Sequence, residues 1–303
     1  MMATTTGSSL AVNHNHVITQ VCPASRQAVR GAIGGFPHLF LPHTGSMSRS
    51  VSQQMAGRWV FPGLVLVAVL AGVVAASGAT PAGLWIFLVV LTGWVITLCL
   101  HEFAHAATAL AGGDISVRTR GYLTLNPFRY VNAAYSIVIP VVVLAIGGIP
   151  LPGGAVLIEN HRLRSRAWSS LVSLAGPVTN LLLGVVLVLV TKALPHEFYS
   201  PNGLVQAIAF LALLQFVTAM LNILPVPGFD GFGVISPYLS PATQRAIDPI
   251  RPWAPLVVFV ILFSVPQAAG YLFGPANRLM DLFGDEFTHF AAGKGANSFQ
   301  FWR

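Results

Sequence analysis

Charged residues are scarce in this chain of 303 residues. Asp, Glu, Lys and Arg together make up 8% of it, whereas ordinary soluble domains contain about 25%. Hydrophobic residues make up 54%. This composition excludes a soluble globular domain and predicts an integral membrane protein that contacts the lipid bilayer. The two cysteines provide neither a disulfide framework nor a cysteine-based metal motif.

Acidic residues are the scarcest charged type, with nine Asp and Glu against sixteen Lys and Arg and a formal net charge of +7. The basic residues are scattered through loops and form no stripe with interleaved aromatic residues, so the charge does not indicate a nucleic-acid partner. In a membrane protein such cations set the topology and contact anionic headgroups.

The first acidic residue of the chain, Glu102, lies in the run His-Glu-Phe-Ala-His from His101 to His105, inside a long apolar stretch. Ionisable side chains at that depth are costly and indicate a functional site. Histidines four residues apart lie on one face of a helix, so both can bind one metal ion. Glu102, one residue further round the helix, can then act on a water molecule at that metal.

Five stretches reach the length of about 20 apolar residues that a transmembrane helix needs. They are 60–79, 83–111, 168–190, 204–225 and 253–275. A sixth apolar stretch, 134–157, is interrupted by several prolines and glycines. The sequence therefore predicts an all-α polytopic membrane protein with about five to six transmembrane helices, in which 134–157 either crosses or re-enters.

Two observations favour a re-entrant segment near 134–157. Arginines precede the first span, which predicts a cytoplasmic N-terminus, and only a re-entrant segment then keeps the later basic loops on the cytoplasmic side. If 134–157 does not cross the membrane, the span 204–225 also ends at the depth of the His-Glu-Phe-Ala-His run. Broken backbone is tolerated at membrane depth only beside protein or a water-filled cavity, so we expect 134–157 to line the site.

Asp230 is the candidate for a third metal ligand, since a catalytic zinc keeps three protein ligands and one open position. It follows a segment in which Pro225 and Pro227 end the helix begun near 204. An ordinary helix-end Asp with Asn222 as its capping partner is the alternative. Because the histidine pair lies at the same depth, Asp230 is favoured as a metal ligand. Asn222 can then satisfy freed backbone groups or bind a substrate carbonyl.

These motifs resemble those of the site-2 protease family of intramembrane zinc metalloproteases. The resemblance covers about residues 60–275 and includes the His-Glu-Phe-Ala-His run, the segment from Asn222 to Asp230-Gly231, and Ala175-Gly176-Pro177-x-x-Asn180 between them. It is strongest to a compact prokaryotic branch without PDZ or CBS domains. The family usually has Leu before the Asp-Gly pair where this chain has Phe229, a change that removes no ligand.

The resemblance implies that His101, His105 and Asp230 bind one Zn²⁺ per chain and that Glu102 is the catalytic base. Asn222 would position the substrate or stabilise the oxyanion, and no other cofactor is implied. The implied reaction is hydrolysis of a peptide bond within or next to the transmembrane helix of a single-span membrane protein, as in regulated intramembrane proteolysis. The implied location is a bacterial cell membrane, with the active site near the cytoplasmic face.

Two other functions stay open at this point. A divalent metal transporter also places histidines and carboxylates in membrane helices, but it strings polar residues along a path in both halves of a repeat. A catalytically inactive relative would bind membrane helices without cutting them. Asn180, alone in its apolar stretch, is interpreted first as a helix-packing residue.

The two ends of the chain are predicted to lie outside the metalloprotease domain of residues 58–275. Residues 1–57 contain no acidic residue and are rich in Ser, Thr, Gly, His and Pro, which predicts a disordered cytoplasmic tail. Their composition also fits an organelle transit peptide or an extended start. Residues 276–303 are predicted to be a C-terminal tail, either a surface helix or disordered. No oligomeric state is predicted.

Overall fold

The computed structural model describes residues 59–127, 158–194 and 200–300, and all regular secondary structure in these ranges is helical. The all-α prediction is therefore confirmed for the described residues. The predicted tail at 1–57 and the predicted re-entrant segment at 134–157 lie outside them. The α-helices are α1 (Val60–Ala76), α2 (Ala82–Ala111), α3 (Ser116–Thr119), α4 (Arg166–Ala193), α5 (Gly203–Asn222), α6 (Asp230–Ile235), α7 (Pro241–Ile247), α8 (Ala254–Ser264), α9 (Pro266–Phe283) and α10 (Glu286–Phe299).

Three of the described helices, α2, α4 and α5, are long and apolar enough to cross a membrane. The pair α8 and α9 would make a fourth span if it is one bent helix, and α1 is a shorter apolar helix. At about 1.5 Å per residue, the 30 residues of α2 reach about 45 Å, which exceeds the roughly 30 Å hydrocarbon core. These helices make the chain an integral membrane protein.

The predicted span at 253–275 is bent in the structure. Helix α8 ends at Ser264, and its axis makes an angle of 96° with that of α9. Val265 between them is extended, because the residue before a proline is disfavoured in α conformation and Pro266 follows it. The apolar composition indicated a span, but the proline breaks it.

Helix α5 is the most buried of the three candidate spans. It contacts α2, α4, α9 and α10 along its length. Small residues allow these approaches: a Cβ at Gly184 of α4 would overlap the ring of Phe216, and one at Gly295 of α10 would overlap the carbonyl of Gln206. Close backbone contact at small residues is the usual way in which membrane helices pack.

Helix α10 falls in the residues predicted as a C-terminal tail, yet it packs against α5. Its buried face includes Phe287, Ala291, Ala292 and Gly295. Asp285 caps its first turn by accepting hydrogen bonds from the backbone N–H and the hydroxyl of Thr288. The sequence left a surface helix or disorder open for this segment, and the structure shows a helix whose alanine and glycine residues lie against α5.

Candidate metal centre

The side chains of His101, His105 and Asp230 converge on one point between α2 and the start of α6. The two histidine Nε2 atoms are 3.1 Å apart. Asp230 places Oδ2 at 3.3 Å from Nε2 of His101 and Oδ1 at 3.4 Å from Nε2 of His105. Ligand atoms at about 2.0–2.2 Å from a tetrahedral zinc ion lie about 3.3–3.5 Å from one another. The three side chains therefore have the spacing that a zinc site needs.

The burial of the three side chains also suits a reactive metal site. His101 and His105 are 5% and 6% exposed, whereas the side chain of Asp230 is 25% exposed. Two ligands are thus enclosed by protein and the third lies at an opening. Glu102 is buried beside His101.

His105 has the second hydrogen bond that metal-binding histidines usually make. Its Nδ1 lies 2.6 Å from the carbonyl oxygen of Val172 on α4. A carbonyl only accepts, so Nδ1 carries the proton and donates it. In the neutral ring the lone pair is then on Nε2, the atom that faces Asp230 and His101.

Gly176, one turn after Val172 on α4, lets that helix lie against the two histidines. A Cβ at this position would overlap Nε2 of His105 and both Cε1 and Nε2 of His101. Only glycine fits there. The sequence indicated Gly176 solely as part of the family resemblance, and the physical reason for it is visible only in the structure.

Asp230 reaches the site through a tight connection between α5 and α6. Pro225 and Pro227 end the preceding helix, and Gly228 has the positive φ of 98° that the connection requires. Gly231 is needed for another reason: a Cβ there would overlap the backbone of Ile223. The connection therefore returns on itself and presents Asp230 towards α2.

Helix α4 also fixes the position of α6. The hydroxyl of Ser170 donates a 2.7 Å hydrogen bond to the carbonyl of Val234. A Cβ at Gly233 would overlap the side chain of Ser173, so the two helices are in close contact. Helix α4 contacts the two histidines through Gly176, and it contacts α6 through Ser170. It therefore sets the distance between the carboxylate of Asp230 and the two imidazoles.

The other candidates from the sequence differ in how they relate to this cluster. Asn222 is the last residue of α5 and half-buried, and its substrate-binding role stays a prediction. Asn180 is buried and lines a small cavity beside His101. Sequence reasoning missed Gln215 and Thr97, which line the same cavity. The available signal was their polarity within apolar spans, which indicates a functional or packing role.

Outside the spans, Asp114, Glu159, Arg120 and Arg162 form a group that we call the polar clasp. Asp114 accepts 2.9 Å hydrogen bonds from the backbone N–H of Ser116 and from that of Glu159. The carboxylate of Glu159 pairs with both arginines. The clasp joins the chain after α2 to the chain before α4.

Acidification weakens the polar clasp. Burial raises the pKa of Asp114, but the hydrogen bonds from Ser116 and Glu159 outweigh this effect and hold the pKa below its ordinary value. The donating Arg162 side chain lowers the pKa of Glu159. Carboxyl groups with a lowered pKa in the fold stabilise it above their ordinary pKa, and that contribution is lost as the pH falls through the lowered value.

We expect Asp114→Asn to lower the thermal unfolding midpoint in detergent at pH 7. The amide would turn an N–H₂ group towards one of two backbone donors, at a cost of about 1–3 kcal/mol. The difference from the wild type should begin to shrink as the pH falls below the ordinary aspartate pKa of about 3.9, and it should disappear only once the pH has passed through the lowered pKa of Asp114 in the fold. Asp248→Asn, at an exposed position 3.9 Å from Arg251, is the matched control and should change little. Equal midpoints at pH 7 would contradict a stabilising role for the clasp.

The chain is similar to bacterial proteins whose names classify them, provisionally, as zinc metalloproteases. It is 48% identical over 181 residues to Rip2 of Mycolicibacterium smegmatis, which covers 59% of this chain and 68% of that protein. It is 42% identical over 217 residues to Rip2 of Mycobacterium tuberculosis H37Rv, covering 72% and 82%. It is 30% identical over 193 residues to YwhC of Bacillus subtilis, covering 62% and 85%.

No protein-family model matches the chain, and no solved structure matches it significantly. The three relatives share a substantial part of their length with it, and they share the class of enzyme that the ligand cluster indicates. Two members of the cluster, His101 and His105, lie on a helix long and apolar enough to span a bilayer. The chain therefore belongs to the site-2 protease family of intramembrane zinc metalloproteases.

Proposed function

We propose that this protein is a zinc endopeptidase that cuts a single-span membrane protein within or next to its transmembrane helix. The observation that carries the proposal is the convergence of His101, His105 and Asp230 at zinc-ligand spacing, with two of the three ligands on a membrane-spanning helix. His101 and His105 would hold the metal from α2 and Asp230 from α6. When bound, zinc supplies a Lewis acid that makes water nucleophilic near neutral pH and polarises the peptide carbonyl.

Each remaining step of the proposed reaction is assigned to a side chain of this protein. Glu102 accepts the proton of the attacking water and returns it to the leaving amine. The amide of Asn222 hydrogen-bonds the substrate carbonyl, where negative charge develops. The substrate helix has to unwind locally before cleavage, because its carbonyls are shielded by their own helical hydrogen bonds.

We also propose that the site lies near the cytoplasmic face of a bacterial cell membrane. The backbone N–H of Arg164, just before α4, donates a 2.9 Å hydrogen bond to the carbonyl of Gly112, just after α2. The end of α2 and the start of α4 are thus on the same side of the membrane. Arginines are concentrated at this end, and the positive-inside rule assigns such an end to the cytoplasm.

Removal of the metal tests the proposal. Full-length protein is reconstituted in lipid vesicles with a substrate that has one transmembrane helix, and cleavage is followed by gel electrophoresis. We expect a zinc chelator to reduce cleavage to background. Zn²⁺ should restore it and Mg²⁺ should not, because imidazole ligands favour zinc and magnesium prefers oxygen ligands.

The same vesicles separate the alternative functions. Uptake of zinc into the lumen without proteolysis would support a divalent metal transporter. Binding of the substrate helix with neither uptake nor cleavage would support an inactive relative. Either of these results, if no cleavage is seen, would overturn the proposed endopeptidase. Cleavage that the chelator does not reduce would overturn the role of zinc.

A further inference from the structure

The two histidines of the metal centre differ at the nitrogen that faces away from Asp230. Nδ1 of His105 donates to the carbonyl of Val172. Nδ1 of His101 is buried and has no direct hydrogen-bond partner among the described residues. Metal-binding histidines almost always donate this second N–H to a partner, which fixes the tautomer and the ring orientation. His101 therefore needs a partner that direct protein contacts do not supply.

A small cavity lies against the ring of His101. Its volume is about 10 Å³, close to the space required for the centre of one water molecule. A buried water needs two to four polar partners, and this cavity offers several. Besides His101, the lining residues are Trp94, Thr97, Leu98, Asn180, Gln215 and Thr218.

The hydrogen bonds around Gln215 determine which end of its amide is available. Its Nε2 donates to the hydroxyl of Thr97 at 2.9 Å. The Thr97 hydroxyl donates its own proton to the carbonyl of Trp94, also at 2.9 Å, so it can only accept from Gln215. The amide cannot be flipped without losing this bond. Its Oε1 is therefore the free end, and it is buried without a direct partner among the described residues.

An unpartnered donor and an unpartnered acceptor thus belong to two residues that line the same cavity. Gln215 is 1% exposed and His101 is 5% exposed, so bulk solvent reaches neither atom freely. Leaving both atoms unsatisfied would cost about 1–3 kcal/mol for each. One water molecule in the cavity would satisfy them together by accepting from the imidazole N–H and donating to the amide oxygen.

We propose that Gln215 is a positioning residue for the zinc ligand His101, and that it acts through one buried water. The water accepts the hydrogen bond of Nδ1–H and donates to Oε1 of Gln215, while Thr97 holds the amide in the required orientation. This arrangement keeps the lone pair of His101 on Nε2, directed at the metal. The inference rests on the proposed role of His101 as a zinc ligand.

Zinc affinity tests the proposal without reference to proteolysis. The dissociation constant of full-length protein in detergent is measured by competition with a chelator. Gln215→Met keeps the shape of the side chain but removes the acceptor, and we expect zinc binding about 10- to 100-fold weaker, as for other partners of metal ligands. The visible absorption spectrum of the Co²⁺-substituted protein should also shift.

Gln206→Met on the same helix is the matched control. Gln206 is a partly buried glutamine whose amide bonds to the carbonyl of Pro201, away from the metal, so its loss should leave zinc affinity unchanged. If Gln215→Met does not fold, Thr97→Val replaces it, because that change removes the hydroxyl that orients the amide.

Two results would overturn the inference. They are wild-type zinc affinity and cobalt spectrum in Gln215→Met, and equal weakening in Gln206→Met. Failure of the proposed function looks different: the wild-type protein itself would bind no zinc, or would bind it independently of His101 and His105.

Discussion

Replacing Glu102 with glutamine is expected to lower the rate of peptide hydrolysis by about 10²- to 10⁴-fold, the usual contribution of a general base. Glutamine has nearly the same shape but cannot accept the proton of the attacking water. Glu102 is not among the three converging ligands, so the variant should still bind one zinc per chain. The measurements are cleavage of a single-span substrate in vesicles and metal content by elemental analysis.

Variants of the metal ligands should lose zinc as well as cleavage, which distinguishes them from Glu102→Gln. His105→Ala and Asp230→Ala should lose both zinc and cleavage, because each removes one of the three ligand atoms. Glu286→Gln, an exposed carboxylate in the first turn of α10, is the matched control and should leave both unchanged. A Glu102→Gln protein that binds zinc and cleaves at the wild-type rate would contradict the proposed base.

Gly176→Ala is expected to weaken zinc binding by about 10²-fold or more, although it adds only one methyl group to a helix. The added carbon would overlap Nε2 of both histidines, so at least one ligand must move by a large part of an ångström. Displacements of about 1 Å at a reacting centre are enough to cost roughly 10²-fold. The experiment is a chelator competition in detergent, followed by the cleavage assay.

Gly184→Ala separates this effect from general disruption of helix packing. Gly184 lies on the same helix, and a Cβ there would overlap the ring of Phe216 instead of a metal ligand. That variant should lose about 1–3 kcal/mol of stability through overpacking but keep its zinc affinity. Wild-type zinc affinity in Gly176→Ala, or equal loss of zinc in the two variants, would show that Gly176 is not specifically required at the metal centre.

The histidine pair and Asp230 could be predicted because local rules determine their positions. A helix brings residues four apart onto one face, which places His101 beside His105. Prolines end the helix before Asp230, and the number of membrane crossings before it determines the side on which that helix ends. The structure brings these three side chains together as predicted. The catalytic roles of Glu102 and Asn222 remain predictions, since they concern a reaction rather than a position.

Features that depend on how helices approach each other could not be predicted from the sequence. The need for Gly176 follows from the short distance between α4 and α2, and local sequence carries no measure of that distance. The contact of Gln215 with the cavity beside His101 depends on the rotation of α5 about its axis. The break at Pro266 was visible as a proline, but hydropathy over a 20-residue stretch conceals it.

The length of α2 gives the metal centre a dependence on bilayer thickness. His101 is the twentieth residue of this 30-residue helix, about 29 Å from its first residue. That distance is close to the thickness of the hydrocarbon layer, so a helix that enters this layer at its first residue leaves it near the histidine pair. A thicker membrane would draw the centre inward and a thinner one would bring it towards the aqueous interface. We therefore expect the lipid composition of the membrane, through hydrophobic mismatch, to change the access of water to the histidine pair.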